Sequence, residues 1–329
     1  MDGEGFCGTD VVPIEFDSPN VYFVFDRSGS MTDPVGNGDT RFSVLRNASV
    51  GVVDDLGQLI NVGLALFPSF SQNGCAAGSE VMSVTPGDKP GQTATLAAFS
   101  QALTLQPQGG TPIAATLRNL LPTLAALPGR TIVLLVTDGG PNCNESAVCS
   151  IGDCQANIDG VCPDPQSNCC EASNSSFGPR LCVDEPDTVA AIEDITAAGV
   201  ETYVIGIPGT EQYEDVLDAM AVAGGTAQVN APTQYHRVDD FQAIGAVLRD
   251  IAADAVSCTV PLQGPVTDPM MTNVYFDCDV LPFSDINGWT WEGEDDDTIT
   301  FHGTFCEALK NGGVGEVQVL TGCPTEVPK

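Results

Sequence analysis

Basic residues are scarce in this chain. Lys and Arg number 11 among 329 residues, against 44 Asp and Glu, for a formal net charge of −33. A surface this negative repels phosphate, which argues against nucleic acid or an anionic membrane as the main partner. The charge is expected either to keep an exported protein soluble or, on a sharper reading, to form a surface that attracts divalent cations. Histidine is scarcer still. His236 and His302 are the only two, and no Gly-x-Ser-x-Gly elbow accompanies either, so a Ser/His/Asp or Cys/His nucleophile system has little to build on. No apolar run reaches the roughly 20 residues of a transmembrane span. Met1-Asp2-Gly3-Glu4-Gly5 has neither basic residues nor an apolar stretch and is not a signal peptide; an export signal is expected to have been removed and Met1 added. None of the cysteines forms a C-x2-C pair, which removes the usual structural zinc site.

What is present points to an exported globular protein. Hydrophobic residues make up 43% of the chain, enough for a large core, and one large domain with a smaller one is expected at this length. Thirteen irregularly spaced cysteines imply an oxidising compartment, outside the cell or on its surface. Their odd number leaves at least one thiol free or paired between chains.

One stretch organises the rest. Val21-Tyr22-Phe23-Val24-Phe25 is a β-prone apolar run without polar alternation, hence a buried strand. It leads into Asp26-Arg27-Ser28-Gly29-Ser30, where Asp26, Ser28 and Ser30 stand at every other position. An extended turn aims all three oxygens at one point, and Gly29 lets it bend tightly. Such ligands suit a hard cation such as Mg²⁺. Open parallel sheets also place their ligand sites at the carboxyl edge of the strands.

Strands and helices then alternate. Thr40 caps an expected helix over 40–59, followed by strands at 61–68 and 80–85 and a short helix over 95–105. Thr111 is placed to cap a helix that begins at Pro112 and runs to 127. Thr131-Ile132-Val133-Leu134-Leu135-Val136 is the most strand-like run, and it ends in Thr137-Asp138-Gly139-Gly140. A second strand thus delivers an Asp at its carboxyl end. Residues 142–182 carry seven cysteines and almost no apolar periodicity, so disulfides must hold them. The alternation resumes with a helix over 186–198, a strand over 200–207, a helix over 211–223, a short strand near 227–229 and a final helix over 239–256. The fold class is α/β, a doubly wound, mostly parallel sheet covered on both faces.

Together, Asp26-Arg27-Ser28-Gly29-Ser30, Gly110-Thr111-Pro112 and Thr137-Asp138-Gly139 resemble the von Willebrand factor type A (vWA) family, in order, over about residues 20–257. The resemblance implies a Rossmann-like vWA fold with a complete metal-ion-dependent adhesion site made of Asp26, Ser28, Ser30, Thr111 and Asp138. It implies Mg²⁺ as cofactor, with Mn²⁺ or Ca²⁺ possible, and a protein or extracellular matrix partner presenting a carboxylate. The two serines then coordinate directly, while Thr111 and Asp138 exchange between direct and water-mediated contact as the last helix shifts. The expected function is that of an exported or cell-surface adhesin. The alternative is a structural or assembly subunit of a surface apparatus. Catalysis is not expected, because the only carboxylates near the ion are already its ligands.

The expected domains are a lead-in over 1–18, the vWA domain over 19–257 and a small disulfide-stapled β module over 258–329. The cysteine-rich insertion over 141–183 begins just after Asp138, so its base is expected at the metal edge as a lid or side wall. Cys7 is expected to pair with Cys75. The final helix runs into Cys258 without a linker, so its movement is expected to reach the module. The acidic run over 292–297 lacks the spaced ligands and glycine of a Ca²⁺ loop, and one of Trp289 and Trp291 is expected to pack the module.

Overall fold

The structure, a computed structural model, describes residues 10–14, 16–72, 74–264, 266, 268–292, 296–314 and 316–326. The main sheet has six strands: β1 (Asn20–Asp26), β2 (Asn61–Phe67), β3 (Ser79–Pro86), β4 (Thr131–Thr137), β5 (Glu201–Gly206) and β6 (His236–Arg237). Their order is β3-β2-β1-β4-β5-β6, and all pairs are parallel except the antiparallel, irregular edge strand β3. Every residue of β1 and β4 is buried, because helices cover both faces. Val21, Phe23 and Phe25 face a layer built with α1 (Arg41–Leu56), α2 (Ala94–Ala102) and α6 (Ile244–Ala255). Tyr22 and Val24 face the layer of α3 (Ile113–Leu124), α4 (Glu185–Ala197) and α5 (Glu214–Ala223). Chain order reverses on either side of β1, which opens the crevice at the carboxyl ends of β1 and β4 where such sheets bind ligands.

Two local expectations differ from the structure. The short strand lies at His236–Arg237, not near 227–229. The Asp218 carboxylate accepts the Gln234 and Tyr235 amides and turns the chain, and Tyr235 is fully buried, so pairing with β5 begins only after it. Thr111 does not cap α3: Pro112 takes the cap position, without a side-chain cap bond, and the helix starts at Ile113.

The module holds β7 (Thr259–Pro261), β8 (Thr272–Phe276), β9 (Asp279–Val280), β10 (Gly288–Glu292), β11 (Thr298–His302), α7 (Thr304–Lys310) and β12 (Val317–Thr321). They form two antiparallel sheets, and the lead-in strand Asp10–Val12 joins the second by pairing with β12, Asp10 opposite Thr321. Trp289 is fully buried, edge-on to Phe283 and Trp291. The module core is continuous with the layer of α1, α2 and α6. It sits at the far ends of α1 and α6: a Cβ at Gly312 would meet the Asp55 carbonyl oxygen at 2.1 Å, Lys310 pairs with Asp254 at 3.6 Å, and Cys258–Cys306 ties the end of α6 to α7. A sixteen-residue helix is about 24 Å long, so the module lies roughly that far from Arg41, at the opposite end of α1.

Cys75 pairs with Cys143, not with Cys7, which lies outside the described residues. The reason is position: the loop carrying Cys75 sits at the carboxyl edge beside the base of the insertion, whereas the lead-in strand joins the module. Within the insertion Cys149–Cys182, Cys154–Cys170 and Cys162–Cys169 pair, and buried sulfur with Ala156 forms most of its core. Cys278 is the free, exposed thiol among the described residues.

Candidate metal centre

The loops that carry the five expected ligands meet at the carboxyl edge of β1 and β4, where side-chain bonds join Ser28, Ser30 and Asp138 and Thr111 is fixed through its backbone. Asp26 ends β1 with its carboxylate fully buried; Oδ1 accepts the Ser28 amide at 2.7 Å and Oδ2 the Thr137 hydroxyl at 2.6 Å. Ser28 and Ser30 place their hydroxyls 3.0 Å apart, and Ser30 Oγ donates to Asp138 Oδ1 at 2.8 Å. The Thr111 loop is drawn in by the Gly29 amide, which donates to the Gly109 carbonyl at 2.9 Å. Thr111 itself is buried and gripped at both backbone groups by Asn142: its amide donates to Asn142 Oδ1 at 2.8 Å, and its carbonyl accepts the Asn142 amide at 2.9 Å. Ser30 is exposed, so the cluster opens to solvent on that side.

The electrostatics favour a cation. Burial, and then the charge of Asp138, push the Asp26 carboxyl up to about 7, against the opposing bonds from Thr137 and Ser28. Burial also raises Asp138, although bonds from Arg41 and Ser30 work the other way. Of the two buried carboxylates, Asp138 is paired with the Arg41 guanidinium, and Asp26 is bonded by neutral donors, Thr137 and Ser28. Arg27, next to Asp26 in sequence, is buried and bonds the Gln106 carbonyl at 2.6 Å instead of either carboxylate. An octahedral ion with bonds of about 2.1 Å sets neighbouring oxygens about 3 Å apart, which matches the serine pair. The donor set is all oxygen, so the residues fit Mg²⁺ or a similar hard cation.

Sequence reasoning missed the residues that hold the ligands in place. Thr137 and Asn142 bond the ligands directly, and Cys75–Cys143 packs on Gly110, where a Cβ would meet Cys143 Sγ at 2.7 Å. Arg41 donates from Nη1 to Asp138 Oδ2 at 2.6 Å, and its Nη2 lies 3.6 Å from Asp33. A signal for Arg41 exists: it is the first residue of α1, and a cation in a helix's first turn opposes the macrodipole unless something nearby compensates it.

The insertion docks at this edge. The Tyr213 ring covers Gly140, where a Cβ would come within 2.5 Å of it, and Tyr213 Oη donates to Asp159 of the insertion at 2.8 Å. Asn142 bonds Gln155, and Asn144 bonds Asp184 and Asp187. The histidines stand apart from the site: His236 lies on β6 beside Tyr203, and His302 bonds Thr290 in the module. Of the acidic run, Glu292 accepts from Thr300 and Asp297 from Thr298, whereas Glu294 and Asp295 lie outside the described residues. The sulfurs of Cys149, Cys170 and Cys182 cluster as metal ligands would, but all three are in disulfides.

A mostly parallel sheet with an oxygen-rich cluster where β1 and β4 end defines a protein of the vWA class. The von Willebrand factor type A domain profile matches residues 20–251, and the chain belongs to that family. Its fold is similar to the pilus adhesin SpaC from Lactobacillus rhamnosus GG in its open conformation, at 20% identity and a TM-score of 0.54, over 94% of this chain and 40% of that one. The PilB minor pilin from Streptococcus sanguinis is 20% identical with a TM-score of 0.47, over 73% of this chain and 61% of that one. The vWF domain of the type V pili tip protein Mfa5 from Porphyromonas gingivalis is 14% identical with a TM-score of 0.46, over 75% of this chain and 96% of that one. The chain thus spans about 40% of the length of SpaC. No curated sequence matches the chain.

Proposed function

We propose that this chain is an exported, cell-surface adhesin that binds a partner's carboxylate through a divalent metal held by Asp26, Ser28, Ser30, Thr111 and Asp138. Mg²⁺ is the expected ion, with Mn²⁺ or Ca²⁺ able to replace it. The observation that carries the reading is the buried, under-compensated pair Asp26 and Asp138 beside two serine hydroxyls at an edge open to water. A cation there relieves carboxylate repulsion, and an octahedral ion held from one side keeps positions for an incoming oxygen. The fold shared with a pilus adhesin supports the adhesive role, and the disulfides support an oxidising location. The insertion, docked beside the centre, forms a side wall that restricts which partners approach. The reading involves no catalysis.

Isothermal titration of metal-stripped protein with Mg²⁺, Mn²⁺ and Ca²⁺ tests it. One saturable site, lost in Asp138→Ala, is the expected result. Absence of a site, or equal binding by the variant, refutes metal-dependent binding. The second reading is an assembly subunit of a surface apparatus. It draws on the pairing of Asp10–Val12 with β12, which joins the first and last described strands opposite the metal edge. Recovery of bound proteins from the native envelope separates the two: an adhesin brings matrix or foreign molecules, a subunit its own envelope proteins.

A further inference from the structure

We infer that Arg41 sets the charge of the metal centre so that a bound divalent ion lacks one negative charge, which a single carboxylate from the partner supplies. The inference rests on the metal reading above and adds to it a residue that decides ligand class and metal affinity.

The contact is built into the fold. Arg41 Nη1 lies 2.6 Å from Asp138 Oδ2 while Ser30 holds Oδ1, so both carboxylate oxygens have partners. Gly209, at φ +126°, makes room: a Cβ there would stand 3.0 Å from Arg41 Nη1, 3.2 Å from its Cζ and 2.9 Å from the Asp138 carbonyl oxygen. Arg41 opens α1, where the helix dipole disfavours a cation, so Asp138 is what holds the charge there. The other acid beside it, Asp33, lies at 3.6 Å and is exposed, so water screens it.

Two consequences follow. Asp138 cannot offer Oδ2 to an ion without giving up Arg41, so it serves the ion through Oδ1 and Ser30 or through water. The charges of Asp26, Asp138, Arg41 and a divalent ion leave one positive charge over. A partner's carboxylate brings that to zero, a neutral hydroxyl or amide leaves it, and a doubly charged phosphate overshoots it. Arg41 therefore weakens the bare ion's binding and favours a monoanionic carboxylate, acting as a positioning residue through Asp138.

The test uses metal-stripped wild type, Arg41→Gln, Arg41→Lys and Gly209→Ala, each checked for folding by circular dichroism. The probes are Mg²⁺ by titration calorimetry, and acetate followed by water-proton relaxation of the Mn²⁺-loaded protein. Removing a full charge a few ångströms from the ion should tighten Mg²⁺ binding by Arg41→Gln about tenfold or more and weaken acetate in the same variant. Arg41→Lys keeps the charge and should stay within about threefold of wild type. Gly209→Ala crowds the guanidinium off Asp138 and should move Mg²⁺ in the same direction by less; it decides the matter if Arg41→Gln does not fold. A merely structural role would weaken metal binding, never tighten it. Wild-type binding with no gain in Arg41→Gln overturns this inference alone. A folded wild type and a folded Arg41→Gln that both bind no metal overturn the metal reading with it.

Discussion

The two ends of the main sheet are held together by different means. At the module end, aromatic burial dominates: Trp289, Phe301 and Phe276 pack into a core that merges with the α1 and α6 layer. At the metal end the loops close through backbone bonds, a disulfide and the Asn142 clip, around carboxylates that repel each other. Burial at one end makes stability, whereas at the other like charges are held together at a cost to the metal-free fold. On the proposed metal reading, such a site favours an ion that the rest of the molecule must support. The difference predicts that lesions at the module end lower stability and spare the metal site, and that lesions at the metal end change metal affinity whether or not they also lower stability.

The largest expected effect is at the module end. Trp289→Ala should cost about 3–5 kcal/mol in denaturant unfolding while leaving Mg²⁺ affinity unchanged within error, as suits a large buried ring removed far from the ion. A matching loss of metal affinity would break the comparison.

The next concerns pH. Folding raises Asp26 from the unfolded value of about 4 to about 7. Between these values the folded state holds more protons than the unfolded one. The stabilisation is therefore complete below about pH 4 and lost as pH rises through about 7, by at most about 4 kcal/mol for the metal-free protein. Saturating Mg²⁺ should reverse the slope, because binding expels the proton. Asp26→Asn should flatten the profile, bind no metal and be at least as stable as wild type at pH 7. A wild-type metal-free protein that gains stability across this range would contradict the assignment of Asp26.

Replacing Cys75 and Cys143 together by Ser should cost about 2–4 kcal/mol and also weaken Mg²⁺, since the bridge packs on Gly110 beside Thr111. The smallest effect expected is for Asn142→Ala. The side-chain acceptor of the Thr111 amide is lost while the backbone amide of residue 142 still donates to the Thr111 carbonyl, a change worth about 1 kcal/mol, or roughly fivefold in metal affinity, with little change in melting temperature. Stability loss without affinity loss in either variant would make Thr111 a bystander to the ion.

The strands that carry the site were legible because burial on both faces leaves an uninterrupted apolar run, as in β1 and β4. The positions of Asp26, Ser28 and Ser30 were legible because alternate residues in an extended turn share a side. Thr before Pro satisfies the capping pattern locally, so the cap expected at Thr111, beside its expected place among the ligands, follows from sequence; only the structure shows that Pro112 takes the cap position and that Asn142 holds the Thr111 backbone. The segment near 227–229 looked like a strand by composition, but the Asp218 carboxylate and buried Tyr235 moved the pairing to 236–237. The module strand at 288–292 and helix at 304–310 escaped notice because both are short, and short elements take their form from neighbours more than from their own propensity.

The chain by itself determined the α/β class, the two strand ends that deliver Asp26 and Asp138, and an oxidising setting, because periodicity, residue type and cysteine count are local properties. Only the tertiary structure decided that Cys75 meets Cys143, that the lead-in strand belongs to the module, and that Arg41 stands on Asp138. Each of these is a meeting of segments far apart in sequence, set by how strands order and helices pack, and local pattern carries no record of it.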